Sequence, residues 1–187
     1  MLAFFSCSKH EVKEEKKTAD ETAIEEIVVE CGQDVGDYAC DFAAFNHRDN
    51  EVSLSDFKGN TILLDFSTMW CYYCNIAAMA EPEIAKLFED KGFVWVTVLV
   101  ENKEFKRPSC SDLRKWVSLY NIKSPVLSGE KNLLDFTDDG IDEGYKCGGY
   151  PTFVIINKDF KIVEYIWGWN YENLKLRLEE VLNEEAV

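Results

Sequence analysis

The 187-residue sequence predicts an α/β domain: a mixed central β-sheet flanked by helices, with an extra N-terminal β-hairpin and an inserted helix. Three observations predict it. Two apolar runs, residues 61–66 and 93–100, read as buried strands, because a strand covered on both faces shows no polar alternation. A segment of good helix formers, 75–91, joins them and is long enough for a crossover between parallel strands. The chain then closes with a hairpin, 152–156 and 161–167 around Asn157-Lys158-Asp159, and an amphipathic helix over 171–185. Leu174, Leu178, Val181 and Leu182 form the inward stripe of that helix.

The elements follow in order. Residues 1–35 are expected to be a signal remnant and tether, mostly flexible, and 36–187 the folded domain. The opening apolar run ends at Ser6-Cys7, which resembles the tail of a bacterial lipoprotein signal and makes Cys7 a candidate lipidation site. It lacks the basic flank and the length of a full signal, and the alternative is an ordinary chain end with an incidental cysteine. Residues 8–30 are charge-dense and gain no apolar face before Ile24, so they read as linker. Segments 41–46 and 51–54 are short strand candidates joined by the turn Arg48-Asp49-Asn50. Pro82 is expected to bend the 75–91 helix. Ser109 or Ser111 is placed to cap a helix over 112–120, where Leu113, Trp116, Val117 and Tyr120 share a face. Residues 125–127 form a short strand, and in the long mixed stretch 128–149 the apolar Leu133, Leu134 and Phe136 suggest a small helical turn. The order of elements fits a mixed sheet with helices on both faces.

Composition narrows the function. With 35 acidic against 20 basic residues the net charge is −15, and such a surface repels phosphate backbones, so nucleic acid is not an expected partner. No apolar run approaches the roughly 20 residues that a membrane-spanning helix needs. Seven cysteines point to an oxidising compartment.

The chemistry gathers at Trp70-Cys71-Tyr72-Tyr73-Cys74, directly after the 61–66 strand. Cys71 falls at or near a helix N-terminus, where free N–H groups and the helix dipole favour a thiolate. Cys74, one turn further, can attack a mixed disulfide formed at Cys71. Two structural alternatives stand beside this reading: a permanently closed disulfide, and half of a zinc site. Zinc needs two more ligands, and Cys110, Cys147, His10 and His47 show no paired spacing, so no metal is expected. His47, beside a turn, reads as a surface residue.

Three stretches together resemble the thioredoxin-like superfamily, and within it the TlpA/ResA-type thiol–disulfide oxidoreductases of the AhpC/TSA-redoxin branch. They are Trp70-Cys71-x-x-Cys74 with Asp65 six residues before the first cysteine, Gly149-Tyr150-Pro151-Thr152-Phe153, and Ser53-Leu-Ser-Asp-Phe-Lys-Gly59. The resemblance runs from about Asp37 to the C-terminus. It implies a thioredoxin-like fold, Cys71 as attacking thiolate, Cys74 as resolving thiol, and Asp65 as a buried acid relaying a proton to or from Cys74. It also implies a cis Pro151 that presents the Tyr150 backbone to a substrate peptide, with Trp70, Tyr72 and Tyr73 at the lip of the site. Neither tyrosine brings positive charge between the cysteines, so a strongly oxidising potential is less favoured.

The expected activity is disulfide exchange with protein substrates in the reductase direction, with no cofactor, reset by a membrane or periplasmic thiol reductant. The expected setting is a monomer in the bacterial cell envelope, periplasmic and lipid-anchored through Cys7, the alternative being the cytoplasm. A peroxiredoxin-like thiol peroxidase is the rival, since Thr68-x-x-Cys71 resembles that family's motif. Leu64, however, stands where its proline is expected, and no arginine to polarise a peroxide is identifiable, Arg107 and Arg114 being merely available. A redox-inert binding module is the third reading. Cys110 and Cys147 are candidates for a second disulfide or an electron relay, while Cys31 and Cys40 are equally able to pair with each other. Four such thiols allow three connectivities.

Overall fold

The computed structural model describes residues 30–136 and 144–184. Cys7, most of the proposed tether and residues 137–143 lie outside them. The described chain opens with two short parallel strands, Cys31–Gly32 (β1) and Tyr38–Ala39 (β2), and a Cys31–Cys40 disulfide closes the loop between them. The domain boundary expected between residues 35 and 36 falls inside this loop. An antiparallel hairpin follows, Ala43–Phe45 (β3) with Glu51–Ser53 (β4). The Asn46 side chain shapes its turn by accepting from the Arg48 and Asn50 N–H groups.

The central unit is Thr61–Thr68 (β5), helix Tyr72–Leu87 (α1) and Phe93–Glu101 (β6). Every position of β5 is buried, which explains why its sequence is apolar without alternation. Helix Cys110–Tyr120 (α2) leads to the short strand Val126–Ser128 (β7). Leu134–Asp135 (β8) and Tyr145–Lys146 (β9) form a small parallel pair. Thr152–Ile156 (β10), Ile162–Trp167 (β11) and helix Tyr171–Glu184 (α3) complete the chain. The main sheet has the order β11-β10-β5-β6-β7, with β5, β6 and β7 parallel and β10 antiparallel to both β5 and β11.

The period of two along a strand sorts the core into two sides. Leu63, Trp95, Phe153 and Ile155 face α1 and α3, and Leu99 and Val126 face α2 through Leu113 and Trp116. Ile62, Leu64, Phe66, Val96 and Val98 face the other way, toward Ala44, Leu54, Leu134 and Tyr145. The expected second helical layer is therefore absent among the described residues. Short strand pairs and the turn at Leu54 cover that face instead, because their few apolar side chains suffice to seal it.

The N-terminal pieces also close the sheet's edges, which would otherwise offer unpaired backbone groups. Gly36 and Ala39 donate to the Ile162 and Phe160 carbonyls beside β11, and Asn46 bridges to Leu127 of β7. Both boundaries of α1 depart from the expected 75–91. The helix begins at Tyr72, capped by Cys71, and ends at Leu87 before a 3-10 turn, and Pro82 lies inside it without ending it. Ser109, not Ser111, caps α2, exchanging hydrogen bonds with Asp112 in a capping box.

Candidate active site

The dithiol sits where β5 hands over to α1. Cys71 is the N-cap of α1 with extended backbone, and its sulfur accepts a hydrogen bond from the Cys74 N–H at 3.2 Å. The Cys71 thiol donates to the Tyr150 carbonyl at 3.5 Å. Cys71 and Cys74 are both free thiols; the first is 7% exposed and the second fully enclosed. The Tyr150–Pro151 peptide bond is cis, and the loop it ends is the one that meets Cys71. Asn75 steadies the cap, donating to the Cys71 carbonyl while accepting from the Tyr120 hydroxyl of α2.

Asp65 lies on the helix-facing side of β5, 2% exposed. Its carboxylate accepts from Ser67 Oγ at 2.6 Å, Thr97 Oγ1 at 3.2 Å and Trp95 Nε1 at 3.3 Å. Burial pushes its carboxyl up to about 6, and these three bonds pull only partly in the other direction. Burial, followed by the bond to Cys71, holds the Cys74 thiol far above the usual thiol range, and the nearby Asp65 charge raises it further. Asp65 and Cys74 thus share one buried layer in which the charge of either disfavours the charge of the other.

An aromatic lip surrounds the dithiol. Trp70 packs at a tilt on Phe105, 5.5 Å between ring centroids, and meets Tyr150 edge-on at 6.0 Å, and Phe136 meets Tyr150 at 6.0 Å. The Trp70 indole N–H donates to Glu101 at 2.9 Å, and Glu101 is also paired with Lys131 at 2.7 Å. Tyr72 and Tyr73 point outward and are well exposed. Sequence reasoning missed Asn75, Glu101, Phe105 and Phe136. Glu101 carried a readable signal, as the one acid closing an otherwise apolar strand, and Phe105 another, as a lone aromatic in a polar connection. Asn75 carried none beyond its place next to Cys74.

The structure does not bring Cys110 and Cys147 together. Cys110 donates to the His47 carbonyl at 3.4 Å and accepts from Arg114, because the start of α2 packs on the β3–β4 turn. Cys147 lies in the core of the opposite face, beside the Gly149 carbonyl and Thr152. The expected second disulfide is not formed, and Tyr150, packed against the clusters on both sides, stands between Cys147 and the dithiol. Among the described residues, no group of three His, Cys, Asp or Glu side chains is placed to hold a metal ion. No described helix is long and apolar enough to cross a membrane.

The AhpC/TSA family model matches residues 35–165, a stretch that holds the dithiol, its buried acid and the Pro151 loop. The chain belongs to the AhpC/TSA family. A ResA thiol-disulfide oxidoreductase of Bacillus cereus is 26% identical to it over 148 residues, covering 79% of this chain and 76% of that protein. The thioredoxin domain of a thiol-disulfide oxidoreductase from Bacteroides vulgatus matches with a TM-score of 0.64 at 23% identity, over 80% of this chain and 98% of that one. A secreted disulfide oxidoreductase of Mycobacterium tuberculosis matches with a TM-score of 0.56 at 19% identity, over 74% and 95%. The two structural likenesses establish a thioredoxin-like fold. Family membership, the relatives and a dithiol at a helix N-terminus make this AhpC/TSA protein a thiol–disulfide oxidoreductase.

The two arginines weighed for a peroxidase are both engaged by other groups. Arg107 is held by Glu130 and Ser128, and Arg114 by His47 and Cys110. Thr68 Oγ1 is buried with no hydrogen-bond partner among the described residues.

Proposed function

We propose that the protein reduces disulfides in protein substrates outside the bacterial cytoplasm, using Cys71 and Cys74. The observation that carries this reading is the Cys71 sulfur, set between the first turn of α1 and the Tyr150 carbonyl. Cys71 attacks one sulfur of the substrate disulfide and the other leaves with the electron pair. The Tyr150 backbone, presented by the Pro151 loop, pairs with the substrate chain, and the rings of Trp70, Tyr72 and Tyr73 receive its flanking side chains. Cys74, deprotonated by Asp65, then attacks Cys71, closing the Cys71–Cys74 disulfide and releasing the substrate thiol. A membrane or periplasmic thiol reductant resets the pair.

The reductase direction is supported by the two tyrosines between the cysteines, which bring no cation, since a strong oxidant needs its reduced thiolate stabilised. An extracytoplasmic setting is supported by the Cys31–Cys40 disulfide, a bond that persists in oxidising compartments. The test is equilibration of the dithiol against glutathione or dithiothreitol, with alkylated thiols counted by mass in wild type and Cys71→Ser. A potential near about −270 mV is expected, and one near about −120 mV would replace the reductase with an oxidant. A pair that never titrates would make the disulfide structural and end the reading.

A further inference from the structure

Glu81 is the most anomalous polar group in the described fold. It sits on α1, 1% exposed, and neither of its carboxylate oxygens has a hydrogen-bond partner among the described residues. A buried acid left unpaired costs several kcal/mol, so it calls for a reason beyond packing. It lines a cleft of about 490 Å³ on the back of α1, together with Lys86, Trp95, Lys123 and Ser124. Trp95 is shared between this cleft and the active site. It lines the cleft, and its indole N–H bonds Asp65 at 3.3 Å. Two buried carboxyls, one in the layer of the dithiol and one on a solvent-reaching cleft, thus have Trp95 as a common neighbour.

We propose that Glu81 is a positioning residue that acts through Asp65: it exchanges protons with the solvent of the cleft and sets the proton occupancy of Asp65. This rests on the oxidoreductase reading above, and it extends the acid–base machinery to a residue one face removed from the thiols. Carboxylates in one poorly solvated layer repel, so ionisation of either disfavours ionisation of the other. Burial holds the Glu81 carboxyl up, the Ser124 hydroxyl opposes this without a hydrogen bond of good geometry, and the Asp65 charge raises it further. The other charges facing Glu81 are Lys86 on α1, Glu89 in the turn after it and Lys123 before β7. Neither lysine makes an ion pair with it.

The consequence falls on the second half of the reaction. Cys74 attacks Cys71, the Cys71–Cys74 bond forms, and the bond from Cys71 to the substrate breaks. The substrate sulfur leaves with the electron pair and takes a proton from water, while the Cys74 proton moves to Asp65. With Glu81 ionised, Asp65 is the stronger base and takes that proton more readily. Its uptake removes the repulsion, so Glu81 holds its charge more readily until Asp65 is emptied again. The two carboxyls titrate as a pair.

The test is the pH profile of disulfide reduction, with insulin as substrate, for wild type, Glu81→Gln and Cys71→Ser. Removing the second carboxyl leaves Asp65 easier to ionise, so the acid limb of the Glu81→Gln profile moves to lower pH by about one unit. A limb that superimposes on wild type, or moves to higher pH, overturns the inference and leaves the oxidoreductase reading intact. Wild type no faster than Cys71→Ser overturns both. Because the variant is open to misfolding, the wild-type protein supplies an independent readout: redox-difference infrared spectra with and without 13C-glutamate. A carboxyl band that shifts with the label and changes between oxidised and reduced protein is expected. Its absence overturns the coupling.

Discussion

Asp65→Asn should make the protein more stable at neutral pH and a poorer enzyme. The Asp65 carboxyl is pushed from 3.8 up to about 6 by burial. Below the lower value the group is protonated in both the folded and unfolded chains and contributes nothing. As pH rises, the unfolded chain ionises first while the native carboxyl keeps its proton, so unfolding becomes progressively favoured. The cost is complete above the folded value. At about 1.36 kcal/mol per pH unit it reaches about 3 kcal/mol. Asparagine is nearly isosteric and keeps the local bonds, its oxygen accepting from Trp95 and Thr97 and its amide donating to Ser67. Urea denaturation of both proteins at pH 4 and pH 7.5 measures the gap. It should be near zero at the lower pH and favour the variant by about 1–3 kcal/mol at the higher. A gap independent of pH, or a wild type more stable at pH 7.5, would refute the assignment of Asp65 as a buried acid with a raised proton affinity. Loss of the proton acceptor should slow disulfide reduction by about 10²–10⁴.

Two further substitutions probe the scaffold and the lip. Cys31→Ser opens a loop with a sequence separation of 9. It should cost about 2–3 kcal/mol in denaturant, a loss that disappears when both proteins are compared under strong reductant. Phe105 holds a left-handed backbone, φ 58°, fixed by the Asn102 side chain accepting from the Glu104 and Lys106 N–H groups. Phe105→Gly should raise stability by about 1 kcal/mol while raising KM for peptide disulfides, because the ring lost is the one packed on Trp70.

What could be read in the sequence was whatever depends on local pattern. The runs that became β5 and β6 betray burial on both faces, and the spacing of Cys71 and Cys74 announces a helix start, since the cap and the chemistry are the same residue. The stripe Leu174, Leu178, Val181 and Leu182 is the buried face of α3. The start of α1 was placed three residues late because tyrosines do not look like helix openers, yet the cap at Cys71 settles the register. Pairings between distant segments left no local trace. β8 and β9 are two residues each and meet across a long connection, so neither carries a period of two to detect. Cys147 stands near the Pro151 loop in sequence and reads as a partner for Cys110, yet its side chain packs in the core of the opposite face. Glu81 was one acid among 35 until its surroundings showed that no described hydrogen bond answers it.

The N-terminal layer, β1 to β4, and the active site are connected by a physical requirement. A reactive centre of this kind is built from unfavourable parts: an acid raised by burial, a thiol raised further, an unpaired glutamate and an aromatic residue in a left-handed conformation. Each costs stability, and a protein has only a narrow margin to lose. The β1–β2 loop with its disulfide lies on the outer edge of β11, and the β3–β4 hairpin lies against β7. Together they close both edges of the sheet and cover the face that no described helix covers. Tyr145, whose hydroxyl donates to the Cys40 carbonyl at 2.6 Å, ties the same layer to the long connection before Pro151. Apart from Glu81, on the back of α1, these parts lie toward the end of the sheet where β5 meets α1, and the stabilising contacts are placed on the edges and the face away from it. Loosening the N-terminal layer should therefore weaken the fold before it alters the geometry around Cys71.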